Sequence, residues 1–110
     1  MTVKFADKTL KKIADNDRAR LREYGKLRSE KIRLRLAQLN YAKNLEQLRM
    51  TPGNYHELTG NRKGQWACDL DQPYRLIFTP CHQNIPINED GTYDWEKVTE
   101  VEIIEITDYH

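Results

Sequence analysis

The chain of 110 residues has little cysteine, proline or glycine: two, four and five residues respectively. Cys68 and Cys81 are too few and too irregularly placed for a disulfide framework or a zinc site. No uninterrupted apolar run exceeds three residues, as in Leu76-Ile77-Phe78, whereas a membrane span needs about 20. Residues 1–15 lack the apolar core of a secretory signal, which points to a cytoplasmic protein with no membrane partner. Internal repeats and low-complexity tracts are also missing. A single domain over residues 1–110 is the expected organisation, because this length leaves no room for a second core.

What the chain does have is charge and large side chains. Two Trp, six Tyr and eight Ile supply enough buriable surface to exclude a disordered chain. The formal net charge of +1 hides an asymmetry. Residues 1–50 carry fourteen Lys and Arg against six Asp and Glu, whereas residues 51–110 carry four against eleven. A basic half of this kind is either a polyanion-facing surface or a solvated helical face.

The halves also differ in periodicity. Asp7 reads as an N-cap, with Leu10, Ile13 and Ala14 at helical spacing behind it. A longer helix is expected from about Arg18 to Ala42, carrying Leu21, Tyr24, Leu27, Ile32, Leu36 and Leu39, with Gly25 a possible interruption. Asn44 and Gln47 open a short helix that Thr51-Pro52-Gly53-Asn54 stops. From there the pattern is β. Strands are expected over Tyr55–Leu58, Gln65–Leu70, Tyr74–Thr79 and Val98–Thr107, with the polar Pro80–Lys97 segment an inserted loop or small hairpin. Helices followed by a small, mainly antiparallel, curved sheet make an α+β domain.

Polar residues that folding does not require gather in two places. His56 lies beside the Thr59–Lys63 turn, with Arg75 on a neighbouring strand, and Asp108-Tyr109-His110 ends the chain. Alternation on the Tyr74–Thr79 strand sends Leu76 and Phe78 to the core and Arg75 to the opposite face. A base for a 2′-hydroxyl, an acid for a 5′-oxygen and a cation for the phosphorane are the parts of metal-free RNA cleavage. No cofactor is called for. Each residue also has an ordinary explanation. His56 could be a hydrogen-bonded surface histidine, Arg75 could pair with Asp69, Asp71 or Glu102, and the terminal tripeptide could be a frayed end. Trp66 and Trp95 read as core and loop-anchoring aromatics, Cys68 as a small buried hydrophobe, and Cys81 has no assigned role. Arg28, Lys31 and Arg35, within the run Arg18, Arg20, Arg22, Lys26, Arg28, Lys31, Arg33 and Arg35, share a helical face suited to the phosphates of a polyanion such as RNA or to an acidic partner.

The stretch from Asn54-Tyr55-His56-Glu57-Leu58-Thr59-Gly60-Asn61-Arg62-Lys63-Gly64 to Gln65-Trp66 resembles the histidine–glycine–arginine–tryptophan segment of HigB-type toxins. These belong to the RelE/ParE superfamily of toxin–antitoxin systems. Tyr74-Arg75-Leu76-Ile77-Phe78 resembles that family's arginine-bearing strand, Leu39 to Gly53 its helix ending, and Asp108-Tyr109-His110 its C-terminus. The segment Glu89 to Trp95 is similar to the insertion of a longer "killer protein" subgroup. The resemblance implies a RelE-like fold and a ribosome-dependent endoribonuclease cutting messenger RNA. It also implies silencing by a helix-turn-helix, HigA-like antitoxin, through which alone the toxin would meet operator DNA. It carries catalytic roles to His56, Arg75, Asp108, Tyr109 and His110, and RNA or ribosome contacts to Arg62 and Lys63. Thr59 stands where many members have lysine, which leaves phosphate stabilisation to Arg62, Lys63 or Arg75. A gyrase-directed toxin of the ParE type, or a decayed toxin kept to bind antitoxin and DNA, are the alternatives.

Overall fold

The computed structural model describes residues 1–81 and 84–108. β1 (Thr2–Phe5) leads into α1 (Lys8–Asp15), whose N-terminus Asp7 caps by accepting from the Thr9 and Leu10 amides. Asn16 ends α1 and caps α2 (Asp17–Tyr41) through the Ala19 amide, at 2.8 Å. Gly25 breaks α2 with φ +78°, a left-handed value that suits glycine. Buried Arg20 spans that break, donating to the carbonyls of Ala14 and Ser29 and to the Ser29 hydroxyl. Asn44 caps the short α3 (Leu45–Arg49).

The remaining strands are β2 (His56–Glu57), β3 (Trp66–Asp69), β4 (Arg75–Pro80) and β5 (Glu100–Thr107). They form one five-stranded sheet in the order β1-β5-β4-β3-β2. β1 runs parallel to β5, and every other neighbouring pair is antiparallel. The expected α+β class, helices on a mainly antiparallel sheet, is therefore observed. The apolar start at Val3 and Phe5 becomes an edge strand, which local sequence did not reveal.

The helices cover one face of the sheet. Ile32, Leu39, Leu45 and Leu48 pack there with Trp66, Leu76, Phe78, Val101 and Ile103, all fully or almost fully buried. β3 departs from the half-buried alternation expected of it. Ala67 is as buried as Trp66 and Cys68, because it joins Leu58 and Ile77 in a second apolar cluster on the outer face. Trp95, in the 3-10 turn Trp95–Lys97, meets Trp66 edge-on at 5.1 Å between ring centroids and so fastens the 84–97 segment to the core. The phase expected for α2 is corrected: Leu21 and Leu27 face outward, and the buried line runs through Ser29, Ile32, Arg35 and Leu39.

Burial pushes the Cys68 thiol up to about 12 and raises the Tyr55 phenol as well. An unfolded thiol ionises near 8.5, so the unfolded chain releases its proton first. The Cys68 contribution is then full below about pH 8.5 and falls as pH rises, by up to about 1.4 kcal/mol per pH unit, and the Tyr55 contribution falls in the same way above about pH 10. Urea unfolding between about pH 8 and 10 should show this decline, and Cys68→Ala should flatten it. A level wild-type profile would contradict the burial argument.

Candidate active site on the outer face of the sheet

Residues opposite one another in an antiparallel ladder share a face. His56 lies opposite Ala67, Ala67 opposite Ile77, and Ile77 opposite Glu105, so these four form one row across the outer face. A neighbouring row runs Asp69, Arg75, Thr107. His56 and Arg75 thus lie on the same outer face two strand spacings apart, about 10 Å laterally. Asp108 follows Thr107 and emerges, exposed, at the Arg75 end of β5. The floor between them is apolar, made by Leu58, Ala67 and Ile77.

Local structure fixes how each side chain is presented. The His56 Nδ1 lies 2.7 Å from the Asn54 carbonyl oxygen. A carbonyl can only accept, so Nδ1 carries a hydrogen, and neutral His56 keeps its lone pair on Nε2. Asn54 holds φ +57° in the turn before β2, and its side-chain amide donates to Asp69 Oδ2 at 3.3 Å. Of the three carboxylates weighed for Arg75, it pairs with Asp69, at 3.7 Å from Nε to Oδ1. That oxygen is buried and accepts no hydrogen bond among the described residues, so the contact is an ion pair at arm's length.

The turn after β2 folds back over this face. The Thr79 hydroxyl of β4 donates to the Gly64 carbonyl at 3.1 Å and holds the turn in place. Arg62 then reaches Glu105 of β5 at 2.8 Å and donates to Gln65 at 3.0 Å. Lys63 and Thr59 are exposed on the same turn. Sequence reasoning missed the Arg62–Glu105 pair and the Asn54 carbonyl. A glutamate inside an Ile-rich strand was the available signal for the first.

The helix cations are not brought to this face, since α2 packs on the other one. Arg28 makes two hydrogen bonds to the Asp71 carboxylate, at 3.0 and 3.2 Å, and lies 3.3 Å over the Tyr74 ring. The Asp71 hydrogen bond raises its already high pKa. Arg35 is buried and donates to the Asp69 and Pro52 carbonyls and to Gln38. The suggested RNA contact through Arg35 is therefore corrected: its guanidinium is enclosed by its own chain. Lys31 stays half-buried at the surface. Tyr109 and His110, both expected at the site, lie outside the described residues. Among the described residues no three His, Cys, Asp or Glu side chains are grouped to hold a metal, and no helix is long and apolar enough to cross a membrane.

Residues 3–90 match the family model described as a HigB-like toxin, the RelE-like toxin of a type II toxin–antitoxin system. The matched span contains His56, Arg62, Lys63 and Arg75 and stops short of β5. No curated protein and no solved structure matches the chain.

Proposed function

This chain belongs to the HigB-like toxins of type II toxin–antitoxin systems, and from that premise we propose that it is an endoribonuclease that cuts messenger RNA on translating ribosomes in the cytoplasm. Membership implies an antitoxin partner; a HigA-like helix-turn-helix protein, with operator DNA reached only through it, is part of the proposal. The observation that carries the reading is the placement of His56 and Arg75 on one outer face that also receives the end of β5.

In the proposed reaction the 2′-oxygen forms a bond to phosphorus while its proton passes to Asp108 or His110. The phosphorus–5′-oxygen bond breaks, and the leaving oxygen takes a proton from the His56 Nε2 or from His110. The products are a 2′,3′-cyclic phosphate and a 5′-hydroxyl. The Asn54 carbonyl favours this use of His56, because it accepts from Nδ1–H whether or not Nε2 is protonated. Arg75 would stabilise the phosphorane charge, and Tyr109 would help to shape the terminal cluster. Lys63 and Arg62 would bind flanking phosphates, the latter by exchanging Glu105 for RNA, and on α2 Arg28 and Lys31 would meet the ribosome.

A decayed toxin acting only as a binding module is favoured by one observation. Arg75 and Arg62 both face carboxylates, Asp69 and Glu105, which dilutes the positive charge of the face. A translating extract with a defined messenger separates the readings. Primer extension should show ribosome-dependent cuts within codons with the native chain and none with His110→Ala. Intact messenger with folded native protein would reject the ribonuclease and leave the binding module or a gyrase-directed toxin.

A further inference from the structure

Past Gly25, α2 has two apolar faces. The inward one is buried. The outward one carries Leu27, Leu34 and Tyr41, which are 60%, 44% and 88% exposed. These three are spaced seven residues apart, and Glu30 and Ala37 occupy the intervening heptad positions. At about 1.5 Å per residue the line is about 21 Å long, or four turns. Single exposed leucines are ordinary on soluble proteins. Three large apolar side chains in heptad register, on a helix already packed through its other face, have the layout of one half of a coiled-coil seam. Two cavities border the line. Near the break, Leu21 lines one of about 430 Å3 with Lys26, Glu30 and Arg33. At the far end, Ala37 and Tyr41 line one of about 480 Å3 with Gln47 and Thr51.

The flanking charge selects the occupant. Lys26 and Arg33 border the seam on one side and Lys31 on the other, and none of them forms an ion pair among the described residues. Glu30 is the lone acid in the line. A second copy of this chain would set basic flank against basic flank, which opposes self-pairing. Ribosomal RNA would suit the flanks but would leave the leucines and the tyrosine against phosphate, where their burial gains little.

We propose that this seam docks an amphipathic helix of about fifteen residues from a protein partner, with apolar residues in heptad spacing and carboxylates beside them. Identifying that partner as the antitoxin rests on the family reading above; the surface and its chemistry do not depend on ribonuclease activity.

The test uses the full chain and two fluorescein-labelled synthetic helical peptides with leucines at the seam positions, one flanked by glutamates and the other by lysines. Anisotropy titration should show the acidic peptide binding at least about tenfold more tightly than the basic one. Leu34→Asp, Tyr41→Asp and the pair Lys26→Glu with Arg33→Glu should each weaken it by about tenfold or more while the circular dichroism stays unchanged. All three apolar positions are exposed, so these variants should fold. Equal binding of both peptides, or binding indifferent to Leu34→Asp, would overturn the proposal. So would a dimer of the free chain that Leu34→Asp dissociates, or loss of ribosome-dependent cleavage in Leu34→Asp with no antitoxin present. Intact messenger together with tight acidic-peptide binding would reject the ribonuclease reading alone and leave the docking seam standing.

Discussion

Arg35→Ala should lower the stability of the protein by about 3 kcal/mol, a midpoint shift of about 10 °C or more for a domain of this size. The reason lies in what the guanidinium holds. Nε donates to the Asp69 carbonyl at 2.7 Å, and Nη1 donates to the Pro52 carbonyl and to Gln38 Oε1, both at 3.2 Å. Gln38 Oε1 also accepts from the Tyr55 hydroxyl at 2.8 Å, so one arginine organises the junction of α2, the 52–54 turn and the end of β3. The fit is close: a Cβ on Gly53 would stand 2.9 Å from Arg35 Nη1, at a φ of +133°. Alanine removes the donors, leaves inward-facing carbonyls without partners and opens a void. Arg35→Lys should recover only part of the loss, since one ammonium cannot reproduce a planar fork with separated acceptors. Urea unfolding of the three proteins checks this, and a change below about 1 kcal/mol in Arg35→Ala would refute it. The same junction starts β2, so any loosening reaches His56.

Arg35 also shows where the sequence stops being legible. By spacing it belonged with Arg28 and Lys31 on a basic surface. Its burial is decided by carbonyls of Pro52 and Asp69, which belong to a turn and a strand far along the chain. Nothing in local periodicity announces such acceptors. The phase of α2 misled for a related reason. Gly25 interrupts the helix, and the buried line beyond it includes Ser29 and Arg35, polar residues that read as surface, while Leu27 reads as core and is not. Hairpin partners were easier. β3 and β4 are joined by a short turn, so Asp69 was among the few carboxylates that could face Arg75, and it does. The Arg62–Glu105 pair crosses two strands, and the β1–β5 pairing joins the two ends of the chain; both depend on topology that a linear pattern does not contain. Fold class survived these errors because the strand alternation and the caps at Asp7 and Asn44 were strong and local.

Arg75→Ala is expected to reduce messenger cleavage by about 10²–10³-fold with little change in stability, because charge stabilisation of that size is what one well-placed donor contributes to a transition state. The competing account makes Arg75 a structural partner of Asp69, and the geometry bears on the choice. At 3.7 Å the pair is too long for a hydrogen bond, and both side chains are partly exposed. Pairs of this kind contribute about 0–1 kcal/mol to folding. A strong structural bond would be short and would satisfy Asp69 Oδ1, which instead is left without a hydrogen bond among the described residues. Arg75 is thus held near its carboxylate loosely enough to turn toward a phosphate. Three variants separate the accounts when cleavage is measured per folded molecule. Arg75→Ala should lose nearly all activity, and Arg75→Lys should keep about a tenth of it through charge without the fork. Asp69→Asn should keep full activity or exceed it, since it frees the guanidinium. If Asp69→Asn instead loses cleavage as fully as Arg75→Ala, the ion pair itself is the functional unit and the phosphate role falls. If Arg75→Ala unfolds the protein, the structural account wins. If it folds and cuts normally, the positive charge at the phosphorane must come from the Arg62–Lys63 turn.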